Sequence, residues 1–144
     1  MTVVVGLAST PLGRLAMERA GEEARARDVP LVVTTHVPRP RTEGAAETYE
    51  SRRAEATDAV ERACARLSED GVAAEAYVPS VPATAAEAIL DAATQHDAQL
   101  VVIGIPRRSP VGKVVLGSTA QEVLLGAPCP VLGVKTARED EDAT

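Results

Sequence analysis

The densest group of side chains able to bind a ligand lies between Ala98 and Gln121, where Arg107, Arg108 and Lys113 occur and no acidic residue does. Two arginines and one lysine give this stretch a local charge of +3, in a chain whose formal net charge is −6. Such cations hold phosphate through charge-assisted hydrogen bonds, and arginine can do so with two parallel N–H groups. The connection from Gly104 to Gly117 is long, and it runs into Ser118-Thr119-Ala120-Gln121, the pattern of a capping box at a helix start. A helix N-terminus presents unpaired N–H groups and the positive end of the helix dipole. A phosphate on the N–H groups of Ser118 and Thr119 is therefore the chemistry to expect here. The same charges would equally suit a solvated surface loop.

Other chemistry is less well provided for. Gly112-Lys113-Val114 has the Gly-Lys of a phosphate-binding P-loop, but Arg107 stands at its first glycine position and Val114 at its hydroxyl position. No GxGxxG fingerprint occurs. His36 closes a strand and His96 ends a helix, and neither belongs to a nucleophile or metal motif. Ser9 and Thr10 read as turn and capping residues. Cys64 and Cys129 form no CxxC pair and read as reduced structural thiols. No catalytic residue and no metal ligand is assigned.

The elements that must position this loop alternate along the chain. Val3 to Leu7 reads as a buried strand. Thr10-Pro11 starts a helix with Leu12, Leu15, Ala16, Ala20 and Ala24 on one stripe, ended by Pro30. Leu31 to Val37 reads as the second strand, and Pro38 to Ala46 as a loop. A second helix carries Ala56, Ala59, Val60, Ala63 and Leu67, with Gly71 placed to close it. Val72 to Val78 is the third strand. Thr84-Ala85-Ala86-Glu87 is a capping box that opens a third helix, with Ala86, Ile89, Leu90 and Ala93 inward. Leu100 to Ile103 is the fourth strand. A short helix from Ser118 to Gly126 and a strand from Pro130 to Val134 complete a βαβαβαβαβ order. Strands joined through helices imply an α/β fold: a doubly wound, Rossmann-like domain with a five-stranded parallel sheet and helices on both faces. Such sheets bind ligands at the carboxyl ends of their strands, where the strand order reverses.

A chain of 144 residues suits one domain. Phe and Trp are absent and Tyr occurs twice, so the core must be built from Val, Leu, Ile and Ala. The acidic balance argues against nucleic-acid and anionic-membrane partners. No stretch is long and apolar enough to span a bilayer, and the N-terminus lacks the basic region of a signal peptide. A cytoplasmic location is expected. Residues 136–144 form an acidic run expected to be disordered.

Taken together, these residues resemble the universal stress protein family, over residues 1–135. Members that bind ATP carry Gly, two residues, Gly, nine residues, then Gly-Ser or Gly-Thr. Gly104, Gly117 and Ser118 match at that spacing, and Arg107 replaces the second glycine. Ala120, Val123, Leu124 and Ala127-Pro128-Cys129-Pro130-Val131 also look like the family's ending. Members usually end the first strand with Asp, which reaches the nucleoside; Ala8 stands there in this chain. The resemblance places Leu7 and Val37 near the base.

What the resemblance implies is a stress-response regulatory protein, not an enzyme, that binds an adenine nucleotide, ATP or AMP, or another phosphate-bearing small molecule. The phosphates would lie on the loop from Gly104 to Gly117, beside Arg107, and on Ser118 and Thr119. The adenosine would lie over Leu7, Ala8 and Val37. The alternatives are a dimeric scaffold or signalling module that does not bind nucleotide, and a slow ATP hydrolase. A homodimer is expected through the last strand, where Val131, Leu132 and Val134 form an apolar run on what the family's strand order makes a sheet edge.

Overall fold

Nine elements follow one another in the expected alternation: β1 (Thr2–Gly6), α1 (Pro11–Arg27), β2 (Leu31–Thr34), α2 (Ala46–Glu69), β3 (Ala74–Tyr77), α3 (Ala85–Gln95), β4 (Ala98–Gly104), α4 (Ser118–Gly126) and β5 (Val131–Val134). They come from a computed structural model that describes residues 1–40, 46–106 and 116–136. The five strands form one parallel sheet in the order β3-β2-β1-β4-β5.

The inner strands are buried on both faces, which is why they are rich in β-branched residues without polar alternation. Val3, Val5, Leu31, Val33, Leu100 and Val102 pack with Ala16, Ala20 and Ala24 of α1 and with Val60 and Cys64 of α2. Val4, Val32, Val101 and Ile103 face the other way, against Ala86, Ile89, Ala92 and Ala93 of α3 and Ala120 and Val123 of α4. The two helix pairs thus lie on opposite faces of the sheet. The core is aliphatic throughout, and small alanines let the helices sit close to the valine-rich sheet.

Local signals account for most boundaries. Thr10 caps α1, accepting the Gly13 N–H at 3.0 Å, with Pro11 at the first helical position. Asp28 ends that helix in the left-handed region at φ 55°, two residues before Pro30. Gly71 takes φ 84° after α2, a conformation that favours glycine. Burial pushes the free thiols of Cys64 and Cys129 up from their ordinary range, Cys64 with help from Glu61 and Glu75.

Three expectations need correction. The second strand stops at Thr34, not Val37, because its neighbours end there: Gly6 of β1 and Tyr77 of β3 are the last residues in register with Thr34. The third strand is likewise confined to Ala74–Tyr77, since the Val72 N–H is taken by the Leu67 carbonyl at the end of α2. Conversely, β4 runs from Ala98 to Gly104, longer than its apolar run, because it pairs on both sides. The loop at 41–45, the cationic residues Arg107, Arg108 and Lys113, and the tail at 137–144 lie outside the described residues. Thr136, the first residue of that expected tail, is half-buried.

Candidate functional site

The chain leaves β1 toward β2 on one side and returns as β4 on the other, so the strand order reverses between β1 and β4. A cleft of about 320 Å³ opens at the carboxyl ends of these strands. Gly6, Leu7 and Ala8 form its edge at the end of β1, and Thr34, Thr35 and His36 its edge at the end of β2. Ile103 and Gly104 end β4 beneath it, Ala85, Ala88 and Ile89 of α3 form one wall, and Leu12, Gly13 and Ala16 of α1 the other. Thr119 of α4 closes the remaining side. No carboxylate lines the cleft among the described residues, so an anion would meet no like charge there.

Close packing shapes this cleft. A Cβ on Gly13 would lie 2.8 Å from the Ala8 carbonyl oxygen, so the first turn of α1 rests directly on the turn after β1. A Cβ on Gly104 would lie 2.8 Å from Leu12 Cγ, so Leu12 covers the end of β4 only because Gly104 has no side chain. Gly104 therefore has a packing role, whatever it does for a ligand.

The start of α4 differs from the expected capping box. Gly117 is the N-cap, at φ −66° and ψ 159°, and among the described residues no side chain caps this helix. Ser118 is its first helical residue, which puts Gln121 one position too late for the box. The Gln121 amide instead donates to the Leu116 carbonyl at 2.9 Å. Gly117 has an ordinary φ, and a Cβ there would meet nothing within 4 Å among the described residues. Neither backbone strain nor packing against those residues demands glycine at this position. Its effect is to leave the first N–H groups of α4 uncovered by any of them.

Leu7, Ala8, Gly104 and Thr119 thus share one cleft. Gly117 and Ser118 are exposed beside it at the start of α4, without lining its wall. Val37 is buried and outside the lining, and its carbonyl accepts from the Ala83 N–H at 3.0 Å, tying the end of β2 to the approach to α3. Arg107 lies outside the described residues. Reasoning from sequence missed Thr34, Thr35 and the wall from α3. A polar residue ending an apolar strand could have pointed to Thr34, but the α3 wall depends on strand order. A wider groove between α1 and α2, about 640 Å³, shares Leu7 and Ala8 and carries Arg14, Arg62 and Arg66 together with Glu18 and Asp70.

A parallel sheet wound both ways, with a cleft at the point of reversal and a helix N-terminus at its lip, defines a doubly wound α/β domain. The model of the Universal stress protein family matches residues 1–135, and the chain belongs to that family. It is 41% identical over 133 residues to a universal stress protein from Mycolicibacterium smegmatis, covering 92% of this chain and 96% of that one. The solved structure of a universal stress protein from Archaeoglobus fulgidus is 32% identical with a TM-score of 0.76, covering 94% and 98% of the two chains. The universal stress protein from A. fulgidus in complex with dAMP is 26% identical with a TM-score of 0.67 over 94% and 98%. A universal stress protein in complex with cAMP is 25% identical with a TM-score of 0.71 over 95% and 98%.

Proposed function

We propose that this chain is a stress-response regulatory protein that binds an adenine nucleotide in the cleft between β1 and β4, and that binding itself is the signal. The observation that carries this reading is the uncapped N-terminus of α4 beside an apolar cleft free of carboxylates among its described residues. A phosphate there would take the N–H groups of Ser118 and Thr119, with Arg107 and Arg108 of the preceding connection as counter-charges. The adenosine would lie toward Leu7 and Ala8, with Val37 beneath. The relatives solved with dAMP and cAMP support an adenine nucleotide as the class of ligand. They favour AMP over ATP as the first ligand to test, because both carry a single phosphate. Ala8 offers no carboxylate to the nucleoside, so recognition falls on the phosphate end and the apolar cleft.

Isothermal calorimetry with AMP and ATP tests the reading. The double variant Arg107→Ala with Arg108→Ala should keep the fold and weaken AMP by about tenfold, on the scale of hydrogen bonds to charged groups. Unchanged affinity would make the cationic connection a solvated surface. Absence of binding by the unaltered protein would remove the nucleotide reading and leave the scaffold.

The edge position of β5 favours a homodimer as the form that acts. Val131, Leu132 and Val134 are only half-buried, and the strand's outer N–H and C=O groups face outward. Pro128 and Pro130 limit how far pairing extends, since neither can donate a hydrogen bond. Val131→Asp should give monomers by light scattering at concentrations where the unaltered chain is dimeric. A monomeric unaltered chain at tens of micromolar would sink the dimer.

A further inference from the structure

Two polar side chains are buried in the core among the described residues, Thr2 and Thr34. Thr2 Oγ1 donates to the His96 carbonyl at 2.9 Å. Thr34 is fully buried, and its Oγ1 has no hydrogen-bond partner among the described residues. Leaving a hydroxyl unpaired in the interior is destabilising, because the group gives up its bonds to water and gains none in return. Valine has nearly the same shape and would fill the site without that cost. The position of this hydroxyl gives it a use. Thr34 is the last residue of β2 and lines the cleft. Along the strand Val33 faces α1 and α2 while Val32 faces α3 and α4, so Thr34 faces α3 and α4. On that face its register neighbours are Gly6, which has no side chain, and Tyr77, and the helix wall is Ala85, Ala88 and Ile89. The hydroxyl therefore sits at the floor of the cleft, in a notch left open on the Gly6 side. Ile89 closes the notch: its Cδ1 lies 3.3 Å from where a Cβ of Gly6 would be.

We propose that the Thr34 hydroxyl is the contact that reads the base of the bound nucleotide, reached when the Ile89 side chain turns aside. The proposal rests on the nucleotide reading above and adds to it a determinant of specificity. Thr34 is two strands from β4, about 10 Å at ordinary strand spacing. That is too far to touch a phosphate seated at α4, and it matches the base end of the same molecule. A hydroxyl both donates and accepts, so it can pair with a purine ring nitrogen or with the exocyclic amino group.

Calorimetry on Thr34→Val and Thr34→Ser tests this, with AMP, with analogues in which one ring nitrogen is replaced by carbon, and with an analogue lacking the exocyclic amino group. Thr34→Val should bind AMP roughly threefold to tenfold more weakly than the unaltered chain. Thr34→Ser, which keeps the hydroxyl, should stay within about twofold, on the same hydrogen-bond scale. One analogue should bind the unaltered chain as weakly as AMP binds Thr34→Val, and Thr34→Val should no longer distinguish that analogue from AMP. Thermal unfolding of Thr34→Val should be no lower than that of the unaltered chain, since only an unpaired hydroxyl is lost. Equal AMP affinity in Thr34→Val, or one uniform loss across all analogues, overturns the proposal while leaving the nucleotide reading intact. No AMP binding by the unaltered chain overturns both.

Discussion

The helices α3 and α4 pack side by side on one face of the sheet and both begin at its carboxyl end, yet their first turns are finished in opposite ways. In α3 the ends of the backbone are satisfied internally. Thr84 Oγ1 accepts the Glu87 N–H at 3.2 Å, and Glu87 Oε1 accepts the Thr84 N–H at 2.9 Å. In α4 the N-cap is Gly117, no side chain among the described residues reaches the first N–H groups, and Gln121 spends its amide on Leu116. One helix start is sealed and serves the fold. The other is open among the described residues, and in the proposed reading it takes the phosphate. The four-residue patterns that begin them, Thr-x-x-Glu and Ser-x-x-Gln, look alike in sequence. A cap is a stabilising device when it closes, and an anion site when it does not.

The strongest way to break this comparison is to close the open end. Gly117→Asp places a carboxylate at the N-cap, in a backbone conformation that already suits one and in open space. It should lower AMP affinity by more than about tenfold, because it occupies the N–H groups and repels the phosphate. Stability measured by urea unfolding should change by only a few tenths of a kcal/mol, since glycine is itself a tolerable N-cap. Retained AMP affinity in this variant would place the phosphate elsewhere.

Opening the sealed end should do the reverse. Thr84→Ala removes the hydroxyl from the α3 box and should cost about 1 kcal/mol of stability in urea unfolding. AMP affinity should not move. A parallel loss of affinity would show that the two helix starts are coupled.

The smallest effect is the pH dependence of the sealed end. The Thr84 backbone N–H and then its hydroxyl interaction hold the Glu87 carboxyl below its ordinary range. A depressed carboxylate contributes stability that is present above its unfolded pKa and lost as pH falls through its folded pKa. Glu87 is exposed, so the effect is small and screened. Carbon-detected NMR titration should find Glu87 protonating at lower pH in the unaltered chain than in Thr84→Ala. Coincident titrations would mean that the box does not hold its carboxylate.

Much of this architecture was legible without coordinates. The β-branched runs at Val3–Val5, Leu31–Val33 and Leu100–Ile103 locate three strands, because a strand buried on both faces needs no polar alternation. Thr10-Pro11, Thr84-x-x-Glu87 and Gly71 mark helix ends, because each acts through bonds to backbone a few residues away. The same local reasoning failed where it needed one residue of register, as at Ser118. There the helix begins one position earlier than the box requires, so Gln121 turns instead to the Leu116 carbonyl. It also overran β2, since a strand's end depends on where its neighbours stop.

The amino-acid sequence by itself determined the alternation of strands and helices, the aliphatic core and the cationic connection before Ser118, since each follows from residue type and near-neighbour spacing. Only the tertiary structure decided that β1 lies between β2 and β4, that α3 supplies a wall of the cleft, and that the Thr34 hydroxyl beneath it has no partner among the described residues. These facts depend on contacts between residues far apart in the chain, such as Gly6 with Thr34 and Ile89. No local pattern carries them, because the free energy that sets them is gained only when the whole sheet is assembled.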